Sequence, residues 1–268
     1  VTLALEIGIG LVIGLVVGAL GGGGGVLTVP ALVYLLGAST HEAATASLVI
    51  VGVAALTGLP AHAFRGHVRW RAGVAFGAVG TASAVAGTVL ARDLDPSVLL
   101  LAFAGVITVA AVLMIRDARR GGDEDDAGSP PAAARGRALR RSRVLRSALV
   151  VLGGLAVGLM TGLFGVGGGF LAVPVLVLVL RWPARAAIGT SLLVIVINSI
   201  GALVPRLGAE ALDARLVVPV TAAAVTGTLL GKLAADRVST PSLSRVFAAL
   251  LLLLAAYTAV RSGITLAA

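Results

Sequence analysis

Charge along this chain is confined to short stretches between long apolar runs. No charged residue falls between Ile7 and Thr40, between Ala72 and Ala91, between Ser97 and Ile115, between Ser147 and Leu180, or between Ala186 and Pro205. A helix needs about 20 mostly apolar residues to cross the hydrocarbon core of a bilayer. The runs divide into hydrophobic pieces at 3–20, 26–37, 43–61, 72–91 and 97–115, then at 147–164, 170–180, 186–204, 216–232 and 243–261. The second piece of each series has only about 12 residues, about 18 Å as a helix. It is too short to span comfortably, so pieces one and two of each series read as a hairpin. The tip of each hairpin is a run of glycines, which either reaches the far surface or stops at membrane depth. Strict apolar–polar alternation is missing, which excludes a transmembrane β-barrel.

The two series are copies. Gly14–Pro30 (GLVVGALGGGGGVLTVP) and Gly158–Pro174 (GLMTGLFGVGGGFLAVP) share ten of seventeen residues at an offset of 144. The same offset pairs Ala43–Leu48 with Ala187–Leu192. Further on, Gly87-Thr88 resembles Gly227-Thr228, which implies a small gap between the copies. The expected organisation is a first transmembrane repeat at 1–115, a flexible Arg-rich linker at 116–146, and a second transmembrane repeat at 147–268. The linker holds nine arginines, an acidic cluster at Asp123–Asp126 and Pro130-Pro131, a composition that cannot build a core. The predicted fold is all-α: a polytopic membrane protein with about 8–10 transmembrane or half-membrane helices.

Composition sharpens this picture. The chain is 58% hydrophobic and 12% charged, with mean hydropathy +1.06; soluble domains carry about 25% charged residues. Lipid is therefore the solvent for most of it. The net charge of +9 comes mostly from arginines at the ends of apolar pieces. That placement sets topology and does not indicate nucleic acid. The opening segment, Thr2–Leu20, reads as a span and not as a cleavable signal peptide. With no cysteine, disulfides and thiolate metal sites are excluded; no cofactor or metal is expected.

Five pieces per series make the copies enter from opposite sides, so inverted repeats are expected. With the linker placed in the cytoplasm, 17 of the 21 cations lie inside, leaving Arg92, Arg206, Arg215 and Arg261 outside. This satisfies the positive-inside rule for a protein of the cell membrane.

The candidate site lies at the glycine tips: Gly21, Gly22, Gly23, Gly24 and Gly25 in one copy, Gly165, Gly167, Gly168 and Gly169 in the other. Glycine lets backbone approach a ligand closely, and helix starts present unpaired N–H groups that suit an anion. Small residues also serve plain helix packing, the competing role. Thr45, Ser47, Thr190 and Ser191 open the third piece of each copy. Their hydroxyls either donate to a solute or bond their own helix carbonyls. Asn198 lies inside a span, where it lines a pathway or bonds another helix. Pro30 and Pro174 are expected to break the short helices. His62 and His67 read as an interfacial loop, and Trp70 and Trp182 as interfacial anchors. Glu6, near the end of its span, offers no strong intramembrane acid for proton coupling.

The duplicated pattern G-x-x-x-G-x-x-G-x-G-G-G, with a proline five residues later and then A-x-x-T-S-L, resembles the sulfite exporter TauE/SafE family of membrane proteins. It stands here as Gly14–Pro30 with Ala43–Leu48 and as Gly158–Pro174 with Ala187–Leu192; Ala46 departs from the pattern where Thr190 keeps it. The resemblance implies export of sulfite, sulfoacetate or a related small sulfur-containing anion. Two other classes compete with this reading. A passive anion channel would fit the missing coupling acid. An intramembrane enzyme is disfavoured, because no G-x-S-G occurs and neither copy places a His inside a predicted span.

Overall fold

The computed structural model describes residues 2–91, 94–120, 132–166, 169–180, 182–206, 213–235, 237, 249, 252, 253 and 256. Among these, every regular element is helical: α1 (Thr2–Leu20), α2 (Gly23–Leu36), α3 (Thr40–Ala63), α4 (Trp70–Ala91), α5 (Pro96–Arg120), α6 (Ala132–Phe164), α7 (Gly169–Pro174), α8 (Ala184–Leu203) and α9 (Ala214–Ala235). A π turn (Val175–Val179) prolongs α7, and a 3-10 turn (Val204–Arg206) prolongs α8. Among the described residues, five stretches are long and apolar enough to cross a membrane: Leu3–Leu20, Thr40–Ala63, Trp70–Ala91, Arg185–Arg206 and Ala214–Ala235. This is a polytopic all-α membrane protein. The expected piece at 243–261 lies almost wholly outside the described residues, as do Gly167 and Gly168.

Helix extends into the 116–146 segment from both sides, as far as Arg120 and again from Ala132. Ala, Leu and Arg are strong helix formers, so α6 can begin well before its apolar part. Residues 121–131, with the acidic cluster and the proline pair, are outside the described residues.

The described helices of the two copies keep one register. Shifting by 144 carries the end of α1 onto the end of α6, and Trp70–Ala91 onto Ala214–Ala235. No gap is needed, which corrects the pairing of Gly87-Thr88 with Gly227-Thr228. A Cβ on Gly87 would overlap the carbonyl of Leu159, and one on Gly231 the carbonyl of Leu15, so Gly87 corresponds to Gly231 and Thr88 to Lys232. The sequence misleads here because α9 carries small residues at both Gly227 and Gly231. A slip of one helical turn leaves the small-residue face looking the same.

Glycines also fix which helices touch. A Cβ on Gly14 or Gly18 would overlap the carbonyl of Ala224 or Thr228 in α9. In the other copy, Gly158 and Gly162 meet the carbonyls of Gly80 and Ala84 in α4 in the same way. In lipid there is little hydrophobic drive between helices, so such backbone-to-backbone approach holds them together. Each copy therefore lends its fourth piece to the other: α1 packs on α9, and α6 on α4. Directions follow from the contacts. Gly10, Gly14 and Gly18 meet Val220, Ala224 and Thr228 in rising order, so α1 and α9 are parallel. By the same test α4 is parallel to α6, and to α8 through Gly73–Thr190 and Gly77–Ile197. Between the two groups, α3 crosses α8 antiparallel, with Gly52 against Ser199 and Gly58 against Leu192.

Locally, α3 starts at a capping box. Glu42 N–H donates to Ser39 Oγ at 3.3 Å, and Ser39 N–H donates to the Glu42 carboxylate at 3.0 Å. Pro30 lies within α2, which continues past it to Leu36, whereas Pro174 marks the change from α7 to the π turn.

Candidate functional site

The two glycine tips meet. Each is closed by a left-handed residue at equivalent positions, Gly21 (φ +76°) and Gly165 (φ +66°). Their N–H groups donate to Val17 O and Thr161 O, both at 2.8 Å. Only glycine takes this φ at little cost, and space forbids a side chain as well. A Cβ on Gly21 would lie 2.9 Å from the carbonyl oxygen of Ile188, and one on Gly165 would lie 2.5 Å from that of Ala44. Ile188 and Ala44 are themselves equivalent, so each tip docks on the third piece of the other copy. One step further, the tips touch each other: a Cβ on Gly25 would overlap the carbonyl of Val166, and one on Gly169 would sit 2.7 Å from Gly22 Cα. Gly24 packs inside its own hairpin, against Val17 and Ile13. Gly23 begins α2.

The hydroxyls divide between the tips and their surroundings. Ser191 is fully buried beside Gly21 and donates to Ile188 O at 2.8 Å. Its equivalent, Ser47, is also fully buried, and its Oγ has no hydrogen-bond partner among the described residues. Thr45 donates to His41 O at 3.1 Å and accepts from Arg206. Thr190 accepts from the backbone N–H of Arg69 at 3.0 Å and so holds the loop before α4. Asn198 faces Gly80 on α4; both amide atoms are buried without a partner among the described residues.

The sequence reading missed Arg206, which it counted only as an outside charge. Arg206 is 4% exposed, on the 3-10 turn that ends α8. One Nη donates to Thr45 Oγ1 at 3.2 Å and the other to Gly162 O at 2.8 Å. Gly162 is in the last turn of α6, where carbonyls carry partial negative charge that a cation offsets. Thr88 Oγ1 also donates to this carbonyl, at 3.4 Å. Arg206 thus joins α3 to the helix that leads into the second tip. It lines a small cavity with Thr40, His41, Ala44, Leu163 and Phe164. The enclosed space is about 20 Å³, room for little more than one water. The one available signal was its position at the end of an apolar run, 144 residues after His62.

His62 is also corrected. It lies in the last turn of α3 and is 7% exposed, not in an interfacial loop; His67 follows in the turn beyond. The Arg69 guanidinium lies 4.4 Å from the ring centroid of Trp182.

The family model described as sulfite exporter TauE/SafE matches residues 6–258. Two Xylella fastidiosa proteins, from strains 9a5c and Temecula1, are named probable membrane transporter protein. They are 34% and 35% identical to this chain, across all of it and 98% of each relative. A Methanocaldococcus jannaschii protein, also named a probable membrane transporter protein, is 25% identical over 78% of this chain and 73% of its own length. No solved structure matches the chain. Duplicated glycine hairpins, a fully helical membrane architecture and a match across nearly the whole length agree: the chain is a membrane transporter and belongs to the sulfite exporter TauE/SafE family.

Proposed function

We propose that this transporter is a permease of the cell membrane that exports a small anion, sulfite or a related organosulfur or sulfonate anion, by alternating access. The observation that carries this reading is the crossing of the two matched glycine tips beside a buried arginine. Helix starts supply N–H donors, Arg206 supplies charge, and Ser47 supplies a buried hydroxyl with bonding capacity to spare. The helix directions support an inverted arrangement, because each equivalent pair, α1/α6, α3/α8 and α4/α9, runs oppositely. The 116–146 segment then faces the cytoplasm.

The moving bodies are not the two copies as they follow along the chain. α4 and α9 are exchanged, and we propose α1, α2, α3 and α9 as one body and α4, α6, α7 and α8 as the other. They meet where α3 crosses α8 and where the tips cross. The tips are packed backbone to backbone. An anion passes only if the bodies shift, which favours a carrier over an open channel.

The test is flux of radiolabelled sulfite in proteoliposomes holding the full chain. Saturation and counterflow are expected, and Arg206→Gln should lower uptake at least about tenfold, the loss of one charge-assisted contact. Non-saturating flux without counterflow would establish the channel alternative. Equal uptake by Arg206→Gln would remove this site from the pathway.

A further inference from the structure

We infer that the protein carries a second anion-binding site, formed by His62 and Lys232, which is the pseudo-symmetric counterpart of the Arg206 site at the opposite end of the α3–α8 crossing. This rests on the transport reading above and adds where the anion is held in the other state.

Shifting the Arg206 site by 144 residues locates the counterpart. Arg206 falls on His62, Thr88 on Lys232, Gly162 on Gly18 and Thr45 on Gly189. The packing bears out the register at Gly18. Gly18 meets the carbonyl of Thr228 as Gly162 meets that of Ala84. A Cβ on Gly58 in α3 would lie 2.9 Å from Thr228 Cγ2 in α9. His62 is one turn beyond Gly58 and Lys232 one turn beyond Thr228. α3 and α9 are parallel, as are their equivalents α8 and α4, so both side chains reach the same level beside the end of α1. Gly189 closes the site from α8. Its Cβ would lie 2.7 Å from His67 O, and the His67 ring centroid is 6.4 Å from that of His62.

The two ends hold buried positive charge in exchanged places. At one, the guanidinium is on α8 and a threonine hydroxyl is on α4. At the other, the ammonium is on α9 and an imidazole is on α3. His62 is 7% exposed and Lys232 8% exposed. Burying a cation this deep beside a membrane-spanning helix is costly, and such residues mark solute pathways. An anion released from the Arg206 side after the bodies rock meets the Lys232 side, and the reverse.

The experiment uses the full chain in proteoliposomes, with sulfite as the probe, and reads half-saturation and maximal rate separately. Lys232→Thr should raise half-saturation about tenfold. Adding His62→Arg rebuilds the Arg206/Thr88 arrangement at this end and should bring half-saturation back to within about threefold of wild type. A merely structural cation would change the yield of folded protein and the maximal rate, not half-saturation. An unchanged half-saturation in Lys232→Thr overturns the proposal, and so does a double variant as impaired as the single one. If wild-type vesicles carry no sulfite, the transport reading fails by itself. The site is then decided by melting temperature in detergent with added sulfite: a rise that Lys232→Thr abolishes supports it, and no rise overturns it.

Discussion

Gly165→Ala tests the tip crossing most directly, because its cost can be worked out from two separate terms. The first is backbone strain: φ is +66°, and an L-residue in the left-handed region costs about 1–2 kcal/mol. The second is overlap. The new methyl would lie 2.5 Å from Ala44 Cα and 2.5 Å from its carbonyl oxygen, and both are main-chain atoms of α3 that cannot rotate away. Overpacking of this kind costs about 1–3 kcal/mol. The sum is about 2–5 kcal/mol, a large share of the marginal stability of a folded domain. Two other glycines separate the terms. Gly37 has φ +72° but open space around it, so Gly37→Ala should show the strain alone. Gly8 is helical with nothing within 4 Å, so Gly8→Ala should be neutral or should stabilise by up to about 1 kcal/mol. The assay is thermal unfolding of the four proteins in one detergent. At roughly 2–4 °C per kcal/mol, Gly165→Ala should melt at least about 4 °C below wild type. The expected order of loss is Gly165, then Gly37, then Gly8. A Gly165→Ala protein no less stable than Gly37→Ala would refute the docking of the tip on α3.

Three more outcomes follow from other contacts. The chain has no cysteine, and a Cβ on Gly52 would lie 3.2 Å from Ser199 Cβ, close to disulfide distance. A Gly52→Cys, Ser199→Cys pair should cross-link under mild oxidant and stop sulfite flux, with recovery on reduction; cross-linked protein that still transports would exclude rocking at this crossing. Asn198 buries both amide atoms without partners among the described residues, so Asn198→Leu should raise stability by about 1–3 kcal/mol while lowering flux. A stable variant with normal flux would make the amide irrelevant to the pathway. Ser39→Ala removes the cap of α3 and should cost about 1 kcal/mol; an unchanged melting temperature would mean that the first turn frays in the membrane-bound protein.

The duplication, the glycine tips and the membrane spans were legible along the chain because each is local. Apolar length reports the bilayer, and the glycine run reports a turn that no other residue makes cheaply. The pairing of Gly21 with Ile188 and of Gly165 with Ala44 was not legible, although all four residues lie within or beside the matched motifs. Nothing in a motif says which copy its glycine touches. Arg206 and His62 were read as surface charges because a residue at the end of an apolar run is usually solvated. Their burial comes from a neighbouring helix end that covers them.

The sequence by itself determined that this is a helical membrane protein of two copies with softened helix starts, since the period and length of apolar residues fix what lipid will accept. Only the tertiary structure decided that the copies exchange α4 and α9, and that their register is kept without a gap. It also decided that Arg206, His62 and Lys232 are buried. The physical reason is that small residues recurring every four positions allow several registers of nearly equal appearance. Contact between particular backbones, Gly14 on Ala224 and Gly158 on Gly80, selects one of them.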